Sequence, residues 1–479
     1  MRKLIIAFLS AMCLTACVDS LDDYNIDQKR ASKVPPETLF TNAVKELSDA
    51  LTTPNVNNNN FRLYIQQWAT TTYLQEPRYD LTSRIIPQNL WQSIYKDVLS
   101  DLHESKRLMD ADALMDATEK KTKLAQIDVI EVYAWSVLVN TFGNVPYSEA
   151  FNYQNPVPKY DDAITIYNDI LVRLDAALTS LSTGSNGFQN GDPLYRGDIP
   201  KWIKFGNSLK LKLAMVIADV NVDKAKTLAQ EAAPGVFKGN EDNARFPYLT
   251  TPPNNNPLSA NLNPDFSTRQ DYVIASAFTD ALNTLNDPRR QFYFTTVGGQ
   301  YKGGNYGFAN SYADFSHVSD KVIAPAFEAL LIDYSEVEFL LAEAIERGFA
   351  VGGTAAGHYN AAIEASIVYW GGTLTDAATY LAQPSVGYVT ATGTYKQKIG
   401  TQKWIALNNR GYDAWIEWRR FDFPVLLPPT GGTAPAGLAI PVRLIYPINE
   451  QTLNGVNREA AATAIGGDLA STKLFWDKF

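Results

Sequence analysis

The 479-residue sequence has little cysteine and little histidine, with two and three residues respectively. They are too widely spaced to supply the usual ligands of a Cys/His zinc site, and histidine-based acid–base catalysis has only His103, His317 and His358 to draw on. The formal net charge is −9 and no basic block is present, whereas nucleic-acid binding requires clustered lysine and arginine. We therefore expect no metal site, no cofactor and no nucleic-acid partner.

Long hydrophobic runs are also scarce. The run from Leu4 to Leu14 follows the cationic start Met1-Arg2-Lys3, and it is about half the ~20 residues that span a bilayer, which is typical of a signal peptide. It ends in Leu14-Thr15-Ala16-Cys17, which resembles the bacterial lipobox, where a peptidase cuts before the cysteine and the thiol is acylated. We expect a lipoprotein signal peptide at 1–16, lipidation at Cys17 and a flexible tether at 17–34. The alternative is an ordinary signal peptide with a chance cysteine.

The tether begins with the acidic stretch Val18 to Asp23. Such stretches resemble the export signals that send lipoproteins to the outer face of some Gram-negative outer membranes. The alternative is a solvated linker on a lipoprotein that faces the periplasm. Because several buried acyl chains give lasting attachment, we expect a protein that is lipid-anchored in the outer membrane and exposed at the cell surface.

Helical periodicity dominates the first two-fifths of the chain. Apolar residues recur there at the 3.6-residue spacing, and capping or stopping residues separate the segments. The predicted helices are 35–51, 90–102, 123–142, 162–174, 202–220 and 222–233, and later 334–347 and 358–370. Helix pairs of this kind suggest tetratricopeptide-like repeats. The sequence therefore predicts an all-α (mainly α) fold.

Residues 234–325 have a different composition, in which proline, asparagine, glycine and tyrosine dominate. The only helix of useful length that we predict there is around Tyr272 to Leu285. Loops this long in a compact protein are usually functional or mobile, so this segment is predicted to be a loop-rich insertion. From Phe421 onward the chain is rich in proline and glycine, which predicts irregular structure.

Several segments together resemble the SusD/RagB-type outer-membrane lipoproteins. The similar blocks are Val132–Tyr147 with its Phe-Gly-Asn-Val-Pro-Tyr turn, Lys201–Lys210, Glu336–Ala344, Gln402–Leu407, Ala414–Arg420 and Arg443–Pro447. With the lipobox they cover nearly the whole chain in the family's order. The resemblance implies one SusD-like domain at 35–479, built on four tetratricopeptide-like helix pairs with a loop-rich part laid over them.

The same resemblance implies a function. Members bind nutrient at the cell surface, sit as a lid on a SusC-like TonB-dependent barrel transporter, and pass oligosaccharides, or in some members peptides, into it. They carry out no enzymatic step. Peptide capture, a purely structural role in the transporter complex and, less favoured, a glycoside hydrolase remain as alternatives.

The residues themselves offer little to an enzyme. A glycosidase needs two carboxyl groups about 5–9.5 Å apart, and no Gly-x-Ser-x-Gly elbow, phosphate loop or His-Glu-x-x-His helix is present. Glu336, Glu343 and Glu346 lie near one helical face beside Arg347, which we interpret as a salt-linked helix face. We expect no catalytic residues.

Sugar binding requires a flat aromatic ring for the apolar face of a pyranose, with amides, carboxylates and guanidinium groups for its hydroxyls. Two stretches offer this mixture, one between Gln66 and Arg84 and one in the insertion. The predicted ligand-binding residues are Trp68, Tyr73, Arg78, Tyr79, Arg269, Tyr301, Tyr306 and Tyr312.

Each of these aromatics also has a second interpretation. Trp68 is either a core residue or a platform for ligand. Tyr301, Tyr306 and Tyr312 lie among glycines and polar residues, so we expect them to be exposed, where they contact either ligand or the transporter. The remaining tryptophans on helical stripes or family blocks are predicted to be core, namely Trp91, Trp135, Trp202, Trp404 and Trp415.

Overall fold

The structure is a computed structural model that describes residues 34–478. It is mainly helical, which confirms the predicted fold class. The predicted signal peptide, Cys17 and nearly all of the tether lie outside the described residues. The helices are α1 Pro36–Thr52, α2 Phe61–Tyr64, α3 Ile86–Gln92, α4 Ser100–Ala111, α5 Ala117–Phe142, α6 Ala163–Ser182, α7 Ile199–Val216, α8 Val222–Ala232, α9 Pro257–Leu262, α10 Ser276–Thr284, α11 Arg290–Tyr293, α12 Tyr334–Glu346, α13 Ala355–Trp370, α14 Leu374–Leu381, α15 Tyr395–Ala406, α16 Gly411–Phe421, α17 Ile448–Leu453 and α18 Gly455–Ala464.

Short polar side chains begin several of the long helices. Asp116 accepts hydrogen bonds from two free backbone amides at the start of α5, and Asp162 and Asp198 cap α6 and α7 in the same way. Thr354 caps α13. Because such caps satisfy donors that have no partner inside the helix, they fix where each helix begins.

Consecutive helices pack against each other in pairs, namely α5 with α6, α7 with α8, α12 with α13 and α15 with α16. This is the tetratricopeptide-like scaffold that the sequence predicts. All five tryptophans assigned to the core are buried, and several lie in edge-to-face contacts with other rings, as Trp404 does with Phe278 at 4.7 Å. Large rings therefore fill the space between the helix pairs.

Two short antiparallel ladders join segments that are far apart in sequence. Strand β1, Trp68–Thr70, pairs with β3, Tyr272–Ile274, and β2, Arg245–Phe246, pairs with β4, Ala329–Leu330. The helix predicted around Tyr272 to Leu285 is therefore wrong in its first part, where the residues form β3. Its second part is α10, which begins at Ser276.

The end of the chain is only partly irregular. Residues 422–440 have no regular structure, but α17 and α18 follow, so the prediction of irregular structure from Phe421 to the end is wrong for this part. Asn454 lies between the two helices, and its side chain donates to the carbonyl oxygen of Pro158 at 2.7 Å. A long-range contact of this kind fixes the position of short helices that have little intrinsic stability.

The predicted salt-linked face of α12 is confirmed for Glu336 and Glu343, whereas Glu346 instead accepts a hydrogen bond from the Tyr388 hydroxyl at 2.6 Å. Glu336 pairs with Lys212 and Arg410, and Glu343 pairs with Arg347 and Arg420. Both glutamates are buried. Both carboxylates therefore take part in structural ion pairs in the helical core.

Candidate functional site

The β1–β3 ladder brings together the two stretches that the sequence singles out for ligand binding. Beyond the strands, Thr71 extends the pairing, since its amide donates to Asp271 O at 2.9 Å and its hydroxyl donates to Gln270 O at 2.7 Å. The segment that follows β1 and the segment that precedes β3 therefore form one surface. This pairing is a long-range contact that helical periodicity does not reveal.

The scaffold fixes this surface from below. The Trp404 indole on α15 donates to Ile65 O at 2.9 Å, and Gln67 Nε2 donates to Trp404 O at 2.9 Å. These two bonds hold the residues just before β1 against the helical core. A site on this surface is therefore carried by a rigid support.

Tyr73 lies on this surface close to two guanidinium groups. The Arg84 Cζ atom is 4.8 Å from the centre of its ring and the Arg269 Cζ atom is 5.9 Å from it. Arg269 also donates to the Tyr73 hydroxyl at 3.3 Å and to Asp271 Oδ2 at 2.6 Å, while Arg84 pairs with the buried Glu76. These contacts fix the ring and both arginines. They also leave guanidinium N–H groups free for hydroxyl ligands.

The charged forms of Asp80 and Arg269 are favoured on this surface. Asp80 accepts hydrogen bonds from the amides of Thr82 and Ser83. Although partial burial acts to raise its pKa, the bonds from Ser83 and Thr82 outweigh it and lower the pKa of Asp80 to about 2. The hydrogen bond to Asp271 raises the pKa of Arg269. The charged Asp80 carboxylate therefore stabilises the turn that precedes Arg84.

Trp68 and Tyr306 are buried, at 2% and 8% exposure. The Trp68 ring packs 5.0 Å from the Tyr272 ring, centre to centre, and 5.0 Å from Arg62 Cζ, so Trp68 takes the core alternative. The expectation that Tyr306 is exposed is wrong. The centre of the Tyr306 ring lies 6.4 Å from the centre of the half-buried Tyr79 ring. Burial raises the pKa of Tyr79 to about 12.

The close approach of Gly307 to Pro429 explains why Tyr306, in the insertion, is buried. A Cβ atom at Gly307, where φ is +79°, would lie 2.3 Å from the Pro429 side chain. Only a glycine permits this approach in the left-handed region. The insertion therefore folds back against residues 422–440, and Tyr306 turns inward.

Arg78 holds two loops together. Its Nε donates to Gly307 O at 2.9 Å, and its two terminal nitrogens donate to Thr433 O at 3.0 Å and Thr433 Oγ1 at 2.7 Å. Its Cζ lies 5.7 Å from the Phe308 ring. Every guanidinium nitrogen of Arg78 thus serves structure, which makes it a positioning residue.

Tyr301 and Tyr312 are half-buried elsewhere on the insertion. The Tyr312 ring stacks on His317 at 3.9 Å, and the Tyr301 ring lies 5.5 Å from Arg290 Cζ. Burial lowers the pKa of His317, so the stacked imidazole is neutral at physiological pH. In the described part of the chain, no ring contact or hydrogen bond joins Tyr301 or Tyr312 to Tyr73.

Residues 422–440 border this surface, and sequence reasoning missed them. Val425 and Leu427 are 71% and 72% exposed, and Phe266, just before β3, is 40% exposed. Gln66 Nε2 donates to Leu427 O at 2.6 Å, which holds the loop beside β1. The sequence feature that could have identified this segment is its apolar residues, which lie within a proline- and glycine-rich stretch.

The described part of the chain has neither a metal-binding cluster of side chains nor a helix that could span a membrane. No cluster of three or more histidine, cysteine or acidic residues is arranged to hold a metal ion there. No helix within residues 34–478 is both long enough and apolar enough to cross a bilayer.

The sequence profile of a SusD-like family, described as starch-binding and associating with the outer membrane, matches residues 28–447. This chain belongs to the SusD-like family. The predicted resemblance is thereby confirmed. Members are carbohydrate-binding proteins associated with the outer membrane.

Solved structures of SusD-like proteins superpose on nearly the whole chain. A chitin-binding protein is 27% identical, with 93% of this chain and 100% of that chain covered and a TM-score of 0.81. A chitin-binding SusD homologue from Flavobacterium johnsoniae is 25% identical over 92% and 98% of the two chains, with a TM-score of 0.79. A SusD homologue from Bacteroides uniformis is 26% identical over 92% and 99%, with a TM-score of 0.75. Among curated proteins, none matches this chain.

Proposed function

We propose that this SusD-like chain is a non-catalytic, surface-exposed lipoprotein that binds oligosaccharide and delivers it to a SusC-like TonB-dependent transporter. The observation that carries the proposal is the half-buried Tyr73 ring beside Arg84 and Arg269 on the β1–β3 surface. An aromatic ring supplies the apolar contact, and fixed guanidinium groups supply donors for sugar hydroxyls. The chitin-binding names of two relatives place N-acetylated glycans, beside starch, among the ligands to test.

Attachment to the membrane is part of the same proposal. Residues 1–16 are removed, Cys17 carries the acyl chains, and residues 35–479 form the single binding domain beyond a short tether. Replacing Cys17 with serine is expected to release the protein from the outer membrane, since acyl chains supply the attachment. Fractionation of the Cys17→Ser variant with its folded domain intact measures this.

Delivery requires contact with the transporter, and Tyr301 and Tyr312 are candidates for either ligand or transporter contacts. Affinity purification from outer membranes tests the complex directly. A SusC-like barrel that co-purifies with the wild-type protein supports the proposal. Recovery of the lipoprotein alone from intact membranes argues against it.

The binding site is tested by calorimetry against a panel of starch, chitin and other polysaccharide oligomers, with protein digests included for the peptide alternative. Tyr73→Ala is expected to weaken glycan binding by about 1–3 kcal/mol, the scale of losing a packed aromatic contact. Tyr153→Ala is the matched control, because Tyr153 is 80% exposed and belongs to the loop after α5. Equal loss in both variants, or binding of peptides alone, contradicts the proposal.

A further inference from the structure

Arg84, which lies over the Tyr73 ring, also lines an open cleft of about 580 Å³. The cleft is bounded by the asparagine-rich turn after α1, the loop before α3 and the helix that continues α3. The lining residues used below are Asn57, Asn58, Arg84, Ile85, Asn89 and Gln92. Because Arg84 belongs to both surfaces, a chain that contacts Tyr73 can extend into this cleft.

Side-chain amides dominate the lining. The carboxamides of Asn57, Asn58 and Gln92 make no hydrogen bond to any residue that the structure describes, and all three are half-buried or exposed. Asn89 donates to Asn57 O at 2.8 Å, which fixes the asparagine turn against α3. A carboxamide offers both donors and an acceptor. The cleft therefore presents both kinds of hydrogen-bonding group without net charge from these side chains.

Two unfavourable backbone features form the wall of the cleft. Ile85, a β-branched residue, has φ 48° and ψ 35° in the left-handed region, which is a conformational outlier for such a residue. Residues Ser93–Leu99 form a π-helical stretch between α3 and α4, a rare geometry that is frequent at functional sites. Strain of this kind persists where the surroundings impose it, and it clusters at ligand sites.

Ile85 also gives the cleft its apolar part. It is 41% exposed among amide neighbours. The charged side chains of the lining are Arg84, Lys96 and Asp97. Arg84 pairs with the buried Glu76, and Lys96 pairs with Asp97 at 3.4 Å, so each positive charge has a carboxylate partner. A ligand that fits this lining is neutral and carries an amide next to a methyl group.

We propose that this cleft binds the acetamido group of an N-acetylated amino sugar whose chain continues onto the Tyr73 surface; the inference rests on the function proposed above. The acetamido N–H and carbonyl pair with the carboxamides of Asn58 and Gln92. The acetyl methyl group packs on Ile85. A glucose residue in the same place leaves Ile85 without an apolar partner, and a glucosamine residue lacks both the carbonyl acceptor and the methyl group.

The test uses three hexamers of equal length, built from N-acetylglucosamine, glucosamine and glucose, titrated calorimetrically into the full folded domain. The wild-type protein is expected to bind the N-acetylated hexamer about tenfold tighter than the glucose hexamer, as two or three added contacts allow. The double variant Asn58→Ala/Gln92→Ala is expected to bring this ratio to about one. Its affinity for the glucose hexamer is expected to fall less than its affinity for the N-acetylated hexamer.

The matched control is Gln451→Ala, which removes an exposed helical glutamine on α17 and leaves the ratio unchanged. Thermal unfolding checks that all variants fold. A ratio that survives in the double variant, or a wild-type ratio near one, overturns the acetamido cleft while leaving glycan binding intact. Binding of none of the hexamers overturns both proposals together. Loss of peptide binding in the double variant, with no sugar bound, makes this a peptide site and also overturns the inference.

Discussion

Ile85 has a left-handed backbone conformation, and we expect a substitution there to affect folding stability and ligand binding in different directions. A β-branched residue in that region costs roughly 1–2 kcal/mol, whereas glycine adopts it freely. We expect Ile85→Gly to raise or preserve the free energy of unfolding while it weakens binding of an N-acetylated hexamer. Chemical denaturation and calorimetry on the same preparation measure the two effects.

A matched control for this prediction is Asn286→Gly. Asn286 has φ 48°, but asparagine tolerates the left-handed region, and the residue follows α10 at a distance in sequence from the cleft. It should change neither stability nor binding appreciably. An Ile85→Gly variant that loses stability would show that the side chain serves packing instead.

Residue types were predictable at the site, but their exposure was not. Tyr73 and Arg269 were identified from composition alone, and the structure brings them within hydrogen-bonding distance. Trp68 had two interpretations because no local pattern reveals β1, in which all three residues are buried. The inward position of Tyr306 depends on the approach of Pro429 to Gly307, a contact between segments more than a hundred residues apart.

At the scale of elements, Arg78 decides how the insertion is held against residues 422–440. A lysine keeps the charge but cannot reproduce the planar, forked contacts with Gly307 and Thr433. We expect Arg78→Lys to increase hydrogen exchange of the 422–440 backbone by about tenfold, the effect of losing one or two hydrogen bonds on local opening. Mass-spectrometric hydrogen exchange resolves this segment.

The control is Arg107→Lys, because Arg107 is exposed on α4 and contacts only its helical neighbour Glu104 among the residues described here. Its exchange pattern should match the wild-type protein. If Arg78→Lys leaves 422–440 protected, then Leu427 and Pro429 hold the loop without the arginine.

His358 gives the junction between α12 and α13 a dependence on pH. Its Nδ1 lies 2.6 Å from Glu338 Oε2 and its Nε2 lies 3.0 Å from Gly352 O. The hydrogen bond with Glu338 raises the pKa of His358, against partial burial and the nearby Lys238. The stabilisation is therefore full below the ordinary histidine pKa of about 6.5 and is lost as the pH rises through the raised value.

The stability difference between the wild-type protein and His358→Gln is accordingly expected to shrink as the pH increases from 5 to about 9. Urea denaturation at each pH measures it. Glu338→Gln removes the partner charge and should flatten the dependence. A difference that grows with pH would contradict the assigned ion pair.

Long helices were the elements most readily predicted. The α5 and α6 segments follow the 3.6-residue spacing. The predictions 123–142 and 162–174 fall almost wholly within the observed helices, which extend further at the start of α5 and at the end of α6. Strand β3 is three residues long and exists because β1 pairs with it, so no local pattern could indicate it. The π-helical stretch at Ser93–Leu99 likewise lies within a predicted helix whose periodicity looks ordinary.

At the scale of the whole molecule, buried charges connect helices that are distant in sequence. Lys212 on α7 pairs with Glu336 on α12 at 2.9 Å and with Asp413 on α16. Lys212, Glu336 and Asp413 are all buried. Although burial opposes the charge, Lys212 and Arg410 lower the pKa of Glu336, so Glu336 is ionised at neutral pH.

Lys212→Met should therefore destabilise the entire domain. Removing one partner of a buried ion pair typically costs about 3–5 kcal/mol, because the remaining charges lose their compensation. A carboxylate with a lowered pKa contributes stability above the unfolded value of about 4.3 and loses it as the pH falls. The destabilisation by Lys212→Met should therefore be largest near neutral pH and shrink in acid.

Arg107→Met, at an exposed position, is the control and should leave the midpoint of unfolding unchanged. Because the three helices belong to one core, circular dichroism and tryptophan fluorescence should report a single coincident transition in both variants; two separate transitions in Lys212→Met would show that the helix pairs unfold independently.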